Sequence, residues 1–172
     1  QNGLTGDGLV GPMTYRRVWT EREANISDHD PALSPWIPGD KHIIHNGHFI
    51  PIEWEKVILW DDNDGFKANK GCYTDYSGKP DREPTMFVNH WDVCLSAESC
   101  ASVLNKRGIS VHFLIDNDGT IYQMLDTQHK AWHAGIARYE GGNTKGIGVE
   151  ISNAYSLKYQ DWYVKRGFGE RP

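Results

Sequence analysis

The chain has 172 residues, a formal charge of −5, eight His, three Cys and seven Trp. That length suits one ordinary domain with part of another, and 38% hydrophobic with 12% aromatic residues suffices for a packed core. The acidic balance, with no Lys/Arg cluster, disfavours nucleic acid as a partner, and no apolar run is long enough to cross a bilayer.

The chain opens at Gln1 in a polar, glycine-rich stretch with no initiator Met and no basic-then-apolar signal. A mature or internal start is therefore expected, with any export signal lying outside the sequence. Residues 1–19 read as a glycine-punctuated piece and a short helix, Pro12 in its first turn ahead of Met13, Tyr15 and Val18. Residues 20–40 hold Pro31, Pro35 and Pro38 and have the composition of a linker. From Lys41 the pattern changes. His42–Ile44 and His48–Ile52 flank Asn46-Gly47 as a hairpin, and Val57–Trp60 is the next expected strand. Residues 61–84 form a loop long enough to suspect function.

Met86–His90 reads as a strand. Ser96 caps a helix to about Lys106, with Ala97, Cys100, Ala101, Val103 and Leu104 inward and Gly108 closing it. Ile109–Ile115 and Thr120–Met124 flank Asn117-Asp118-Gly119 as a second hairpin. Gly146–Ser152 reads as a buried strand with one acidic residue. Strands interleaved with helix predict an α/β fold, a mixed central sheet with flanking helices.

Several residues are candidates for chemistry. His90 ends an apolar strand, a usual position for a site residue in α/β folds, and is read as either a structural histidine or a metal ligand. Glu150 interrupts the apolar run Ile147–Ile151. A lone buried carboxylate costs several kcal/mol, so it is paired, protonated or at a cleft mouth, where it could serve as a base; otherwise it faces solvent. Trp132-His133-Ala134-Gly135 could line a sugar or peptide groove or hold a core Trp. His42, His45 and His48 resemble a metal cluster but straddle a turn. Asp61–Asp64 lacks the later Glu of a calcium loop. Cys94 and Cys100, in a C-x5-C arrangement, are either buried thiols or a local disulfide. No nucleophile motif, P-loop or dinucleotide fingerprint is present, so an unrelated metal-free hydrolase would lack an identifiable nucleophile.

Taken in order, Phe87-Val88-Asn89-His90, Ser110–Asp116, Asp118–Gln123, Ala131–Gly135 and Gly146–Ile151 resemble the type 2 N-acetylmuramoyl-L-alanine amidases, which share a fold with peptidoglycan-recognition proteins. The resemblance is strong over about 84–153 and loose over 41–83. It implies that His90 is a zinc ligand and that Glu150 assists catalysis. Another branch carries a Tyr where this chain has Val111, which favours the Glu-using branch. The resemblance further implies that Asn89, Trp132 and His133 contact substrate, and it makes a Cys94–Cys100 bridge credible. Residues 1–19 resemble the end of a peptidoglycan-binding repeat. The expectation is thus a zinc amidase domain over 41–172, from an endolysin or autolysin acting on peptidoglycan outside the cytoplasm or at phage lysis. The alternative is a non-catalytic peptidoglycan-binding module. The family's other two zinc ligands, a His and then an Asp or Cys, follow the Glu150 strand. No His follows His133, so the domain is expected to be incomplete at its C-terminus.

Overall fold

The computed structural model describes residues 41–80, 82–135 and 141–171. The expected repeat remnant (1–19) and linker (20–40) lie outside the described residues.

The first hairpin forms as expected. Strands β1 (His42–His45) and β2 (His48–Pro51) pair antiparallel. Asn46 and Gly47 take φ of 50° and 72°, the two left-handed residues of the turn whose twist suits a two-residue hairpin. Buried Gln123 docks this hairpin on the domain by imitating a strand: its Oε1 accepts from Ile44 N (2.7 Å) and its Nε2 donates to Ile44 O (2.7 Å). The Asp126 carboxylate accepts the Asn46 and Gly47 N–H groups, both at 2.8 Å.

The central sheet is mixed, as the sequence predicts. Its order is β3 (Val57–Leu59), β7 (Ile121–Gln123), β6 (Phe113–Ile115), β9 (Gly146–Ile151) and β5 (Met86–Trp91). The β6–β7 pair is antiparallel, and β3–β7, β6–β9 and β5–β9 are parallel. Two short strands, β4 (Tyr73–Thr74) and β8 (Lys130–Ala131), pair apart from it and give the long 61–84 loop a fixed point.

Helix α1 (Ala97–Arg107) begins in a capping box, Ser96 accepting from Ser99 N while the Ser99 side chain accepts from Ser96 N, and ends at Gly108 with φ 69°. Ala97, Cys100, Ala101 and Leu104 form its buried stripe against Val111, Leu114 and Met124. Val103 corrects the sequence expectation. It is 41% exposed, because at 100° per residue it falls outside the arc spanned by the other four. On the opposite sheet face, Phe113, Ile147 and Val149 form a second cluster.

The strand expected over 109–115 is cut short. Ser110 spends its N–H on Trp132 O and its hydroxyl on Cys72 O, so regular pairing starts only at Phe113. Further elements were not foreseen: α2 (Gly142–Lys145) ahead of β9, then a 3₁₀ turn (Leu157–Tyr159) and α3 (Gln160–Lys165) after it. Tyr163 of α3 is buried, and its hydroxyl oxygen accepts from Ala154 N at 3.0 Å.

Candidate active site

His90 and Glu150 are register partners on the parallel strands β5 and β9. Side chains alternate faces along a strand, so Val88 and His90 share a face with Gly148 and Glu150, the face that α1 covers. Both are half-buried, His90 on the edge strand β5 and Glu150 on β9 beside it, which β6 flanks on its other side.

His133 completes the group from the loop after β8. Its ring packs against Gly148, where an added Cβ would come within 2.6 Å of the imidazole. Its Nδ1 lies 3.0 Å from His90 Nε2. The loop is held by Asn143 of α2, whose Oδ1 accepts from His133 N (2.9 Å) and Ala134 N (2.7 Å). Trp132 is 37% exposed and fixed at its polar end, Nε1 donating to Thr74 Oγ1 at 3.0 Å. The sequence-derived residues His90, Glu150 and His133 therefore come together at the β5–β9 pair, while Trp132 precedes His133 in the chain and is bonded to Ser110 and Thr74.

Asn89 does not join them. It alternates to the other face of β5, exposed alongside Phe87 and Trp91, because a one-residue step along a strand reverses the side chain. Cys94 and Cys100 are both free thiols rather than a disulfide, although their sulfur atoms lie within 4.8 Å. The three histidines of the first hairpin do not converge: His45 Nδ1 lies 2.8 Å from Thr127 Oγ1, and His42 stacks edge-on against Phe49.

Beneath the site lies a buried layer that the sequence did not signal. His112 is fully buried; its Nδ1 accepts from Gly148 N (3.0 Å) and its Nε2 reaches His129 O (2.9 Å). Those two bonds require the neutral ring with its proton on Nε2, so the nearby Arg82 Nη2, at 3.2 Å from Nε2, is a packing contact and not a second donor to it. Arg82 is itself buried and donates to the carbonyls of Thr127, Gln128, Thr144 and Gly146. It thereby binds the loop before β8 to the start of β9.

Electrostatics divide the site into neutral bases and a neutral acid. Burial lowers the His90 pKa, and burial followed by the His90 and Arg82 charges lowers His133 to about 4. Burial is also the main cause of the fall in His112 to about 3. Glu150 moves the opposite way, to about 7, chiefly through burial and then the neighbouring Asp92. Its Oε2 is buried without a hydrogen-bond partner.

Zinc fits part of this arrangement. Metal-binding imidazoles must be neutral, and adjacent nitrogens in a tetrahedral zinc site are roughly 3.3 Å apart given Zn–N bonds of 2.0–2.1 Å. The His90–His133 pair meets both conditions, although the same contact also serves as a hydrogen bond. The described residues bring no third His, Cys, Asp or Glu donor to that pair, since their one cluster of three such donors is Asp92, Cys94 and Cys100.

The sequence profile of the N-acetylmuramoyl-L-alanine amidase family matches residues 80–166, the segment that runs from Arg82 through β9 to α3. The 1,6-anhydro-N-acetylmuramyl-L-alanine amidase AmpD of Escherichia coli is 39% identical over 56 residues, 31% of each chain. The Citrobacter freundii protein of the same name is 39% identical over 56 residues, covering 31% of this chain and 30% of its own. The chain thus spans about a third of the length of these curated relatives. A mutant endolysin from Bacillus subtilis superposes with a TM-score of 0.38 at 26% identity, over 57% of this chain and 62% of that one. With half of its length matched by the family profile, the chain belongs to the type 2 N-acetylmuramoyl-L-alanine amidases.

Proposed function

We propose that this chain is the core of a peptidoglycan hydrolase that cuts the amide between N-acetylmuramic acid and the L-alanine of the stem peptide, as an endolysin or autolysin. The observation that carries the reading is the pairing of His90 with Glu150 across β5 and β9, with His133 seated over Gly148 beside them. Among the described residues no helix is long and apolar enough to cross a membrane.

His90, with His133 beside it, would hold the zinc ion. When bound, zinc supplies Lewis acidity toward the scissile carbonyl and toward water. The rest falls to the chain's own side chains. Glu150, with a pKa of about 7, exchanges its proton near neutrality, the property a group needs to take a proton from attacking water and return it to the leaving amine. Its unpaired Oε2 leaves one oxygen available for that exchange. Trp132, anchored through Thr74, offers an indole face against which a sugar ring or an alanyl methyl group packs. Asn143 and Gly148 keep His133 at a fixed distance from His90.

A second reading, a peptidoglycan-binding module without catalysis, is favoured by one observation: among the described residues two nitrogens converge where catalytic zinc takes three protein ligands. Incubation with purified muropeptides, followed by mass analysis, separates the two. Free stem peptide with an L-alanine amino terminus is the expected product. Retention of intact muropeptide on the protein, with no cleavage at saturating zinc, would establish the binder instead.

A further inference from the structure

Beyond the His90–Glu150 row, a second set of donor atoms converges that the amidase reading leaves unused. Asp92 follows β5, Cys94 lies in the loop to α1, and Cys100 sits on the buried side of α1. One ligand-type atom from each lies within 4.8 Å of the other two.

The chain is shaped to bring them together. Val93, between Asp92 and Cys94, has φ of 57° and an exposed side chain. A left-handed conformation is a genuine outlier for a β-branched residue, and here it leaves the half-buried Asp92 and Cys94 on the same side. Cys100 N donates to Ser96 O at 3.0 Å, so the first turn of α1 carries Cys100 back over the loop.

Asp92 is already oriented as a ligating carboxylate would be. Its Oδ1 accepts from Cys94 N (2.8 Å) and Asn153 N (3.0 Å), and its Oδ2 accepts from the Ser152 hydroxyl (3.2 Å). Outer contacts of this kind orient metal ligands and tune the site. No Lys or Arg among the described residues forms an ion pair with Asp92, and the other charge felt by both thiols, Glu150, is also acidic. Two sulfurs and a carboxylate match the donor set of a thiophilic divalent ion.

We propose that Asp92, Cys94 and Cys100 bind such an ion, of the zinc class, at a site separate from the His90–His133 pair. There it pins the β5–α1 loop to the end of the sheet. The ion enters past the half-buried Cys94, and both thiol protons leave to solvent as the two metal–sulfur bonds form. A thiol must lose its proton to ligate a metal, so binding tightens as pH rises.

The test uses the full 172-residue chain, reduced, with cadmium ion alone as the probe. One equivalent should raise a thiolate-to-metal charge-transfer absorption and slow maleimide labelling of Cys94. Cys94→Ser and Cys100→Ser should each abolish the absorption, and Ser152→Ala should weaken binding about 10-fold. His90→Ala should leave the absorption intact, so this site and the proposed amidase centre can fail independently. If Cys100→Ser loses helical circular dichroism, Asp92→Asn and the wild-type labelling rates decide. A folded, reduced wild-type chain without the absorption, or an absorption lost in His90→Ala and kept in Cys94→Ser, would overturn the proposal. So would a Cys94–Cys100 disulfide that forms equally fast with and without the ion.

Discussion

His90 on β5 and His133 in the loop after β8 meet with Nε2 and Nδ1 3.0 Å apart, although 43 residues separate them in sequence. The contact depends on Gly148, whose missing side chain makes room for the His133 ring. Gly148→Ala should therefore push His133 away from His90 and destabilise the fold by about 1–3 kcal/mol, the usual cost of overpacking. Imidazole chemical shifts and a urea titration report the two effects. An unmoved His133 resonance in the variant would show that the ring does not rely on the glycine.

Stability of the metal-free chain should fall as pH drops below about 6.5. His112 and His133 titrate near 3 and 4 in the folded state against 6.5 otherwise. Each binds fewer protons folded than unfolded in that interval, so each contributes stability above 6.5 that is lost as pH falls toward its folded value. Glu150 acts in the opposite sense. Raised from 4.5 to about 7, it contributes stability below 4.5 that is lost as pH rises through 7. Two histidines against one carboxylate leave a net gain of stability with pH between about 5 and 6.5. Urea midpoints at pH 5.0 and 6.5 measure the slope, which His112→Gln should flatten.

Much of this arrangement was legible in the sequence. Ser96 and Gly108 bracket α1 because capping and left-handed termination are local chemistry, and Asn46-Gly47 specifies its hairpin for the same reason. Glu150 announced itself as a charge in an apolar strand whose burial demands a reason. Arg82 and His112 gave no such signal. Arg82 bonds backbone carbonyls, which every residue possesses, so no partner type marks it. Asn89, expected to contact substrate, points away from the His90 face because adjacent residues of a strand face opposite ways. Val103 was misassigned because it is apolar, although its helical angle lies off the stripe.

Zinc should bind the His90–His133 pair weakly, since most of a site's affinity comes from several ligands acting together. Calorimetry with zinc, in a Cys94→Ser/Cys100→Ser background that removes the thiol donors, should show a single weak event that His90→Ala eliminates. Tight stoichiometric binding surviving His90→Ala would place the metal elsewhere.

Trp132→Ala should raise KM by about 2- to 10-fold with little change in kcat, if the indole contributes the roughly 0.5–1.5 kcal/mol typical of aromatic packing. The measurement is steady-state hydrolysis of soluble muropeptide. A fall in kcat alone would instead assign the ring a role in the chemistry.

The most direct test of the account is kcat for amide release from purified muropeptide by the wild-type chain and by Glu150→Gln, at matched zinc occupancy. Glutamine keeps the shape of the side chain and removes its proton exchange. The account predicts a loss of about 10²–10⁴-fold in kcat, with KM and zinc binding nearly unchanged. Equal turnover by the two proteins would contradict it, because Glu150 would then be a buried carboxylate with no part in the reaction.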